Sequence, residues 1–223
     1  MVKFAKTIKV RLTLTEEMLG TQPADEEVYD RFIASNAPDA QTRAEEIEEH
    51  GVGDVAERGR TVFPRLDDGT PYIYDYQIKG MLKDTCGMLN RLSGKDPETG
   101  KKIPANECSK IKAYKKEIDG LIFVKPRKIP IRFTGGIGDC QRPLRAQTMQ
   151  GERVTLASSD TVPEGATMEF EICMMNPAHA AFVREVLDYG EYRGLGQWRN
   201  SGKGKYLWEE LDENGAVIGG NLS

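Results

Sequence analysis

The sequence predicts an α+β fold, and three observations support this prediction. Lys6–Thr15 alternates apolar and polar residues, which is typical of a half-buried β-strand. Ile78–Leu92 carries apolar residues at helical spacing, which indicates an amphipathic helix. Thr167–Met174 alternates again, and Ala178–Tyr189 follows it with a second helical pattern. The length of 223 residues suits one domain with an insertion, or two small domains.

Shorter segments complete the order of the elements. Leu121–Val124 and Ile129–Phe133 are predicted strands, with a turn at Lys125–Lys128 between them. A last strand is predicted at Tyr206–Glu210, and the Asn214-Gly215 pair after it is a typical hairpin turn. The order strand, helix, strand, strand, helix, strand matches the ferredoxin-like (RRM-like) split βαβ plan. We therefore expect an antiparallel sheet with helices on one face and the other face open to a ligand.

Charge is distributed unevenly along the chain, although the net charge is only −4. Glu16–Glu57 is acidic, and short polar helices are predicted within it. We interpret residues 24–60 as an acidic helical insertion within a single domain of residues 1–223. Lys79–Arg145 is basic, and such a local stripe attracts polyanions even in an acidic chain. The alternative for the same lysines and arginines is a set of solvated helix and loop faces.

The composition argues against several classes of protein. No apolar run approaches the roughly 20 residues of a membrane-spanning helix. The first residues lack the apolar centre of a signal peptide, so we expect a cytoplasmic protein. The widely spaced cysteines form no C-x-x-C pair, so we expect buried or half-buried free thiols and neither a metal nor another cofactor. These cysteines are Cys86, Cys108, Cys140 and Cys173.

The most informative stretch is the glycine-rich segment Gly194–Gly204. Its glycines remove side chains and permit positive φ, so that backbone N–H groups can approach a phosphate. Arg193, Arg199 and Lys203 add positive charge, and Trp198 offers a flat face for a base. A Walker loop does not fit because its Ser/Thr is missing, and a dinucleotide fingerprint does not fit because the strand-to-helix order is reversed. The alternative is a flexible hairpin turn.

The basic block and the glycine-rich segment together predict a nucleic-acid-binding surface. Its candidate residues are Lys79, Lys83, Arg142, Arg145, Arg193, Gly194, Gly196, Trp198, Arg199, Gly202, Lys203 and Gly204. Tyr72, Tyr74 and Tyr76 alternate along an extended segment, and they either stack on bases or pack in the core. No catalytic residue is predicted, since the chain has only two histidines, and one of them, His179, is interpreted as a surface residue at a helix start.

Three segments, in order, resemble the RAMP superfamily and in particular the backbone subunits of CRISPR effector complexes. They are Pro71–Lys83 with its Lys-Gly pair, Glu152–Phe170 with its Pro-x-Gly turn before a strand, and Gly194–Gly204 with its internal arginine. The family's Pro-Gly-Ser-Ser-type turn is replaced by Tyr74-Asp75-Tyr76-Gln77, and the family's catalytic aspartate matches no single residue. The chain is therefore similar to a divergent member, of the kind that a bacteriophage or other mobile element carries.

The resemblance implies a non-enzymatic, single-stranded RNA-binding subunit that assembles side by side in a CRISPR-like ribonucleoprotein of antiviral defence. The implied partners are single-stranded nucleic acid, RNA before DNA, together with further copies or other effector subunits, and no membrane. Two alternatives stay open at this point. One is a metal-independent endoribonuclease of the same superfamily. The other is a phage accessory protein that binds single-stranded nucleic acid or counteracts a host defence.

Overall fold

The computed structural model describes residues 5–24, 60–148 and 151–222. Within these ranges, only the backbone is described at Ser93, 102–104, 144–148 and 151–156. The predicted acidic helical insertion, residues 24–60, lies outside the described residues except at its two ends.

The strands and helices are numbered here in chain order. Strands β1 to β5 are Lys6–Leu14, Met18–Leu19, Gln22–Pro23, Thr61–Val62 and Tyr72–Tyr74. Strands β6 to β9 are Ser93–Lys95, Lys102–Pro104, Ile122–Lys125 and Lys128–Arg132. Strands β10 to β14 are Gly138–Thr148, Gly151–Val162, Thr167–Met174, Tyr206–Leu211 and Val217–Gly220. Helices α1 to α4 are Asp75–Leu89, Tyr114–Leu121, His179–Asp188 and Gly190–Arg193, and short 3-10 helices lie at Cys108–Lys110 and Arg199–Ser201.

The larger sheet has seven strands. Six of them follow the order β14-β13-β1-β12-β9-β5, and β8 lies end to end with β9 on the same edge of β12. All its strand pairs are antiparallel. The predicted α+β fold with an antiparallel sheet is therefore confirmed. The turn predicted at Lys125–Lys128 does not make a hairpin, because β8 and β9 follow one another along β12. Pro126 lies in this break, where the ladder does not need the N–H that proline lacks.

One face of the larger sheet is apolar, because β1 and β12 both alternate strictly in burial. Their buried side chains are Ile8, Val10, Leu12, Leu14, Met168, Phe170, Ile172 and Met174. Apolar residues of α1 and α3, among them Leu82 and Phe182, pack into the same hydrophobic cluster. The intervening residues of β1, β8, β9 and β12 are half-buried or exposed, and most are charged, as at Lys9, Lys125 and Glu171.

A second sheet is built around a long hairpin. β10 and β11 pair antiparallel along almost their whole length, and β11 also pairs with β4 and β2. Arg60 lies where the hairpin begins, with its guanidinium 2.8 Å from Asp160 and 3.4 Å from Asp139. From its glycines we expect a flexible stretch over residues 134–139, but β10 already begins at Gly138. β10 is polar and lacks apolar alternation, so its start is defined by backbone pairing with β11.

Helix α1 begins at Asp75, three residues before the predicted start at Ile78. The side-chain oxygen of Gln77 accepts a hydrogen bond from the N–H of Tyr74 at 2.8 Å. A side chain in the first turn that bonds back to the preceding backbone stabilises a helix start. Apolar spacing carries no information about such a bond, so the predicted boundary was displaced.

Two glycines offer a matched test of how tightly the hydrophobic core is packed. A Cβ at Gly190 would lie 2.0 Å from the ring of Tyr206, which is fully buried. We expect Gly190→Ala to lower the free energy of unfolding by about 1–3 kcal/mol, because an overpacked core must shift. A Cβ at Gly80 in α1 would meet no other part of the structure within 4 Å. Gly80→Ala should raise the free energy of unfolding by about 0.5–1 kcal/mol. Urea unfolding checks both values, and changes of the same sign would contradict the description.

Candidate nucleic-acid interface

The glycine loop, residues 194–204, connects α4 to β13 and folds back on itself. The N–H of Leu195 donates to the carbonyl of Gly204 at 2.8 Å, and the N–H of Gly204 donates to the carbonyl of Glu17 at 2.8 Å. A Cβ at Gly204 would lie 1.8 Å from the carbonyl oxygen of Leu195. This glycine therefore lets the two ends of the loop touch, and both of these N–H groups bond within the chain.

The other glycines of the predicted site differ in what surrounds them. Gly194, Gly196 and Gly202 have φ values of 72°, 83° and 88°. A Cβ at Gly194 would approach the carbonyl oxygen of Lys203 at 2.7 Å, and one at Gly196 would approach Met18 at 2.9 Å. At Gly202 the nearest atom would be 4.0 Å away. Close packing within the protein thus accounts for Gly194 and Gly196, whereas Gly202 is required by its positive φ alone.

Two cations of the loop and one just before it pair with carboxylates of the same chain. Asp84 of α1 accepts hydrogen bonds from Arg193 Nε at 2.9 Å and from Arg199 Nη1 at 2.7 Å. Lys203 Nζ donates to Glu17 Oε1 at 2.6 Å. These pairs attach the loop to α1 and to the segment before β2. They also offset much of the positive charge that the sequence places at the loop.

The pairing changes the pKa values of Asp84, Arg193 and Lys203. Partial burial favours a higher pKa for Asp84, but the hydrogen bonds from Arg193 and Arg199 outweigh it and hold this pKa below its usual value. The hydrogen bond to Asp84 raises the pKa of Arg193, and the hydrogen bond to Glu17 raises the pKa of Lys203. Asp84, Arg193 and Lys203 therefore stay charged at neutral pH.

Trp198 is the exposed aromatic residue of the loop. Its φ is 54°, and within the described ranges no other non-glycine residue has a positive φ. This left-handed conformation costs about 1–2 kcal/mol for a residue with a side chain, so the surrounding contacts must hold it. Trp198 is 40% exposed. Backbone strain at an exposed aromatic residue makes Trp198 a candidate functional position, because such strain concentrates at functional sites.

Arg142 of β10 meets the loop at this tryptophan. Its guanidinium carbon lies 5.4 Å from the centroid of the Trp198 ring, within the range of a cation–π interaction. Its Nη2 donates to Gln197 Oε1 at 3.0 Å. Its Nε is buried and has no hydrogen-bond partner in the part of the chain that is described. The structure therefore brings the basic block and the glycine loop together through Arg142.

Lys79 and Lys83 lie on α1 and face α2 instead. Lys79 Nζ donates to the carbonyl oxygen of Asp119 at 3.1 Å and lies 5.3 Å from the ring centroid of Phe123. Lys83 Nζ pairs with the carboxylate of Asp119. Arg145 lies on β10 beyond Arg142, and only its backbone is described. Binding of nucleic acid by the twelve candidate residues stays a prediction.

Sequence reasoning missed Asp84 and Glu17 as partners of the loop. Asp84 lies 109 positions before Arg193, and no local pattern connects the two. Sequence reasoning also placed His179 at the surface, whereas this residue is only 6% exposed. Its Nε2 lies 3.3 Å from Glu117 Oε2. The histidine is buried because the first turn of α3 packs into the hydrophobic cluster beside α2.

The thiol prediction is confirmed, since Cys86 and Cys108 are buried, Cys140 and Cys173 are half-buried, and all four are free. Among the described side chains, no three His, Cys, Asp or Glu residues gather in a way that could hold a metal ion. No described helix combines the length and the apolar character needed to cross a membrane.

Comparisons with known proteins find similarity in structure only. No family model matches the chain, and no curated protein matches its sequence. The chain is similar to a chain of the Type III-B Cmr-beta complex bound to cognate target RNA, with 13% identity and a TM-score of 0.49. This match covers 94% of the present chain but 60% of the other, so the chain spans about three fifths of that protein's length.

A second similar structure is a chain of a Type IV-B CRISPR complex, with 12% identity and a TM-score of 0.47. The match covers 98% of the present chain and 95% of the other. Both TM-scores lie below 0.5, so these similarities assign neither residues nor an activity to this chain.

The pairing at Asp84 predicts a pH-dependent contribution to stability. Because the pKa of Asp84 is lowered on folding, its contribution is present above the usual value of 3.8 and is lost as the pH falls below it. Asp84→Asn should lower the free energy of unfolding by about 1–2 kcal/mol at pH 7, allowing for partial solvent screening. The difference from the unchanged protein should shrink at pH 3.5, as urea unfolding at the two pH values will show.

Asp119→Asn is the matched control, because it removes an exposed partner of Lys83 and should change stability little at either pH. An equal loss for Asp84→Asn at both pH values would show that the carboxylate charge is not what holds the loop.

Proposed function

We propose that this chain is a single-stranded RNA-binding subunit of a CRISPR-like ribonucleoprotein. The observation that carries the proposal is the pair formed by Trp198 and Arg142. An exposed aromatic ring accepts a base of any sequence by stacking, and an adjacent guanidinium adds charge for the phosphate. The cations in and next to the loop are paired with carboxylates, so the loop contributes mainly this stacking surface. The hairpin supplies charge through Arg142.

The topology supports the same proposal. α1 lies between β1 and β8 in the chain, and α3 lies between β12 and β13. The strand order β13-β1-β12-β8/β9 therefore corresponds to the order 4-1-3-2 when these four strand positions are numbered along the chain. We infer a ferredoxin-like split βαβ core, the plan expected for a RAMP-like protein. The three segments of the resemblance fall at β5 and the start of α1, at β11 and β12, and at the glycine loop.

Further charge for a polyanion lies on and before α2. Lys112, Lys115 and Lys116 are exposed, and no carboxylate of the described residues pairs with them. Cations of this kind release counterions from a phosphate backbone, so binding should weaken steeply as salt rises.

Trp198→Ala tests the stacking role. We expect the change to weaken binding of a fluorescein-labelled 15-nucleotide RNA by about 1–3 kcal/mol, the usual loss for one stacked base. Fluorescence anisotropy at two salt concentrations measures the affinity, and thermal unfolding of the same samples shows whether the variant is folded. Tyr192→Ala is the matched control, since Tyr192 is 67% exposed on α4, shortly before the loop. It should leave the affinity unchanged.

The anisotropy results separate the proposal from its alternatives. A folded Trp198→Ala variant with unchanged affinity would remove the loop from the interface. If the protein bound no single-stranded RNA at low salt, the proposed function would be wrong. Tighter binding of the matching DNA than of the RNA would favour the reading as a phage accessory protein.

We also propose that copies of the chain assemble side by side on RNA, with acidic and basic surfaces of neighbouring copies setting the register. On this proposal, mass photometry with RNAs of 15 and 45 nucleotides should show complexes whose mass grows with RNA length. One copy per RNA at both lengths would contradict assembly and leave a solitary binder.

A further inference from the structure

The larger sheet has a short edge strand on each side. β14 ends the sheet on one side and pairs only with β13 among the described residues. β8 lies on the other side, and within the described ranges its only ladder is the one with β12. Each of these two strands has four residues. The outer backbone N–H and C=O groups of an edge strand are available to a further strand.

The edge at β14 exposes a concentration of apolar side chains. Val217 is 52% exposed, Ile218 is 64% exposed, and Leu222, shortly after the strand, is 36% exposed. Natural edge strands are usually protected by charged residues, by proline or by a covering segment. β14 contains neither a charged residue nor a proline, and no described strand covers it. An uncovered apolar edge of this kind marks a surface for another protein.

The edge at β8 also presents an apolar side chain. The strand alternates in burial, with Ile122 and Val124 buried and Phe123 directed to the surface. Phe123 is 42% exposed, although Lys79 Nζ lies 5.3 Å from its ring centroid. Both edges of the sheet therefore offer apolar surface beside unused backbone groups.

The charge around β14 is negative at the turn that precedes it. Residues 206–223, which include β13 and β14, contain four carboxylates and no Lys or Arg. Two of these carboxylates pair with arginines of neighbouring elements. Asp212 accepts N–H groups of the turn, and Glu213 is exposed without a charged partner among the described residues. The lysine nearest in sequence, Lys205, precedes β13 at the far end of the hairpin from this turn.

The charge around β8 is positive. Three lysines of α2 and β8 are exposed and have no ion pair within the described ranges, namely Lys115, Lys116 and Lys125. The carboxylates of α2 are already engaged, since Asp119 pairs with Lys83 and Glu117 lies 3.3 Å from His179. Glu171 stands opposite Lys125 in the ladder with β12 and offsets part of that charge. The excess of positive charge at this edge therefore lies mainly on the two lysines of α2.

We propose that the β14 edge of one copy docks against the β8 edge of the next copy, so that their larger sheets join head to tail. Ile218 and Phe123 lie at this contact, and the acidic turn at Glu213 faces the lysines of α2. A second copy is the partner that fits, because one chain carries both complementary edges. Since the two edges differ, the contact leaves a free edge at each end, and assembly continues in one direction. This inference rests on the proposed side-by-side assembly and names its surfaces.

The test measures self-association without RNA, so that it does not depend on RNA binding. In sedimentation velocity between about 1 and 100 μM, the mean mass of the unchanged chain should rise with concentration, as open assembly requires. Ile218→Lys places a cation against the lysines of α2, and Phe123→Asp places an anion against the acidic turn. We expect each variant to weaken association about 100-fold, because like charges in contact are strongly unfavourable.

Mixing the two variants tests the head-to-tail arrangement directly. Ile218→Lys retains a native β8 edge, and Phe123→Asp retains a native β14 edge. An equimolar mixture should therefore regain the association that each variant lacks alone. Leu92→Lys is the matched control, since Leu92 is 55% exposed and lies outside both edges, and it should associate like the unchanged chain. Thermal unfolding shows which variants are folded, and Lys115→Glu/Lys116→Glu tests the β8 edge if Phe123→Asp is not.

The results separate this inference from the proposed RNA binding. Dimers formed by Phe123→Asp alone would show two-fold pairing of like edges and overturn the head-to-tail contact. Undiminished association of both variants, or a mixture that stays monomeric, would overturn it as well. A monomeric unchanged chain at every concentration overturns the contact and leaves RNA binding at Trp198 standing. Association as proposed, in a chain that binds no RNA, supports the contact and contradicts the proposed function.

Discussion

The carboxylate of Asp84 is the interaction on which the arrangement of the candidate site depends. It binds two arginines, Arg193 just before the glycine loop and Arg199 within it, and so joins the first helix to a loop more than 100 residues away. Glu17 acts in the same way on Lys203. With both ends of the loop held, Trp198 is kept in a left-handed conformation beside the hairpin that carries Arg142.

This pairing changes what the loop can contribute to binding. A bare glycine loop with free cations would act as a phosphate cradle, because its N–H groups and charges would both be available. Here two N–H groups are used to close the loop, and three cations are paired with carboxylates. The aromatic ring is then the prominent exposed feature of the loop, which is why we propose a base as its ligand.

The open face of the larger sheet has a different character from the surface at Trp198 and Arg142. Basic and acidic residues alternate across neighbouring strands there, with Lys9 opposite Glu171 and Arg11 opposite Glu169. Arg11 is held by both Glu169 and Glu209. Such mutual pairing favours folding of the sheet, and it leaves less net charge for a ligand than the number of lysines and arginines suggests. For the proposed RNA-binding function, exposed aromatic side chains are correspondingly a better guide to the interface than the basic residues of this face.

Much of the sheet and both main helices could be predicted from the sequence. A strand or helix that buries one face must carry apolar residues at a regular spacing, and this spacing can be read from the sequence. Lys6–Thr15 and Thr167–Met174 alternate strictly, and the structure places strands there with almost the same bounds. Strand β10 could not be predicted, because its polar residues are held by pairing with β11 and carry no period of their own. The end-to-end arrangement of β8 and β9 along one edge of β12 could not be predicted either, because the apolar pattern of a strand does not record which strand it pairs with.

The sequence by itself determined which residue types are available at the candidate site, namely the glycines, cations and aromatic rings of residues 193–204. The tertiary structure alone decided how they are used. Ion pairs at Asp84 and Glu17 and the approach of Arg142 to Trp198 depend on distances between segments far apart in the chain. A local pattern records what must be buried, but charge pairing is set by three-dimensional proximity. That is why the cations were identified from sequence and their partners were not.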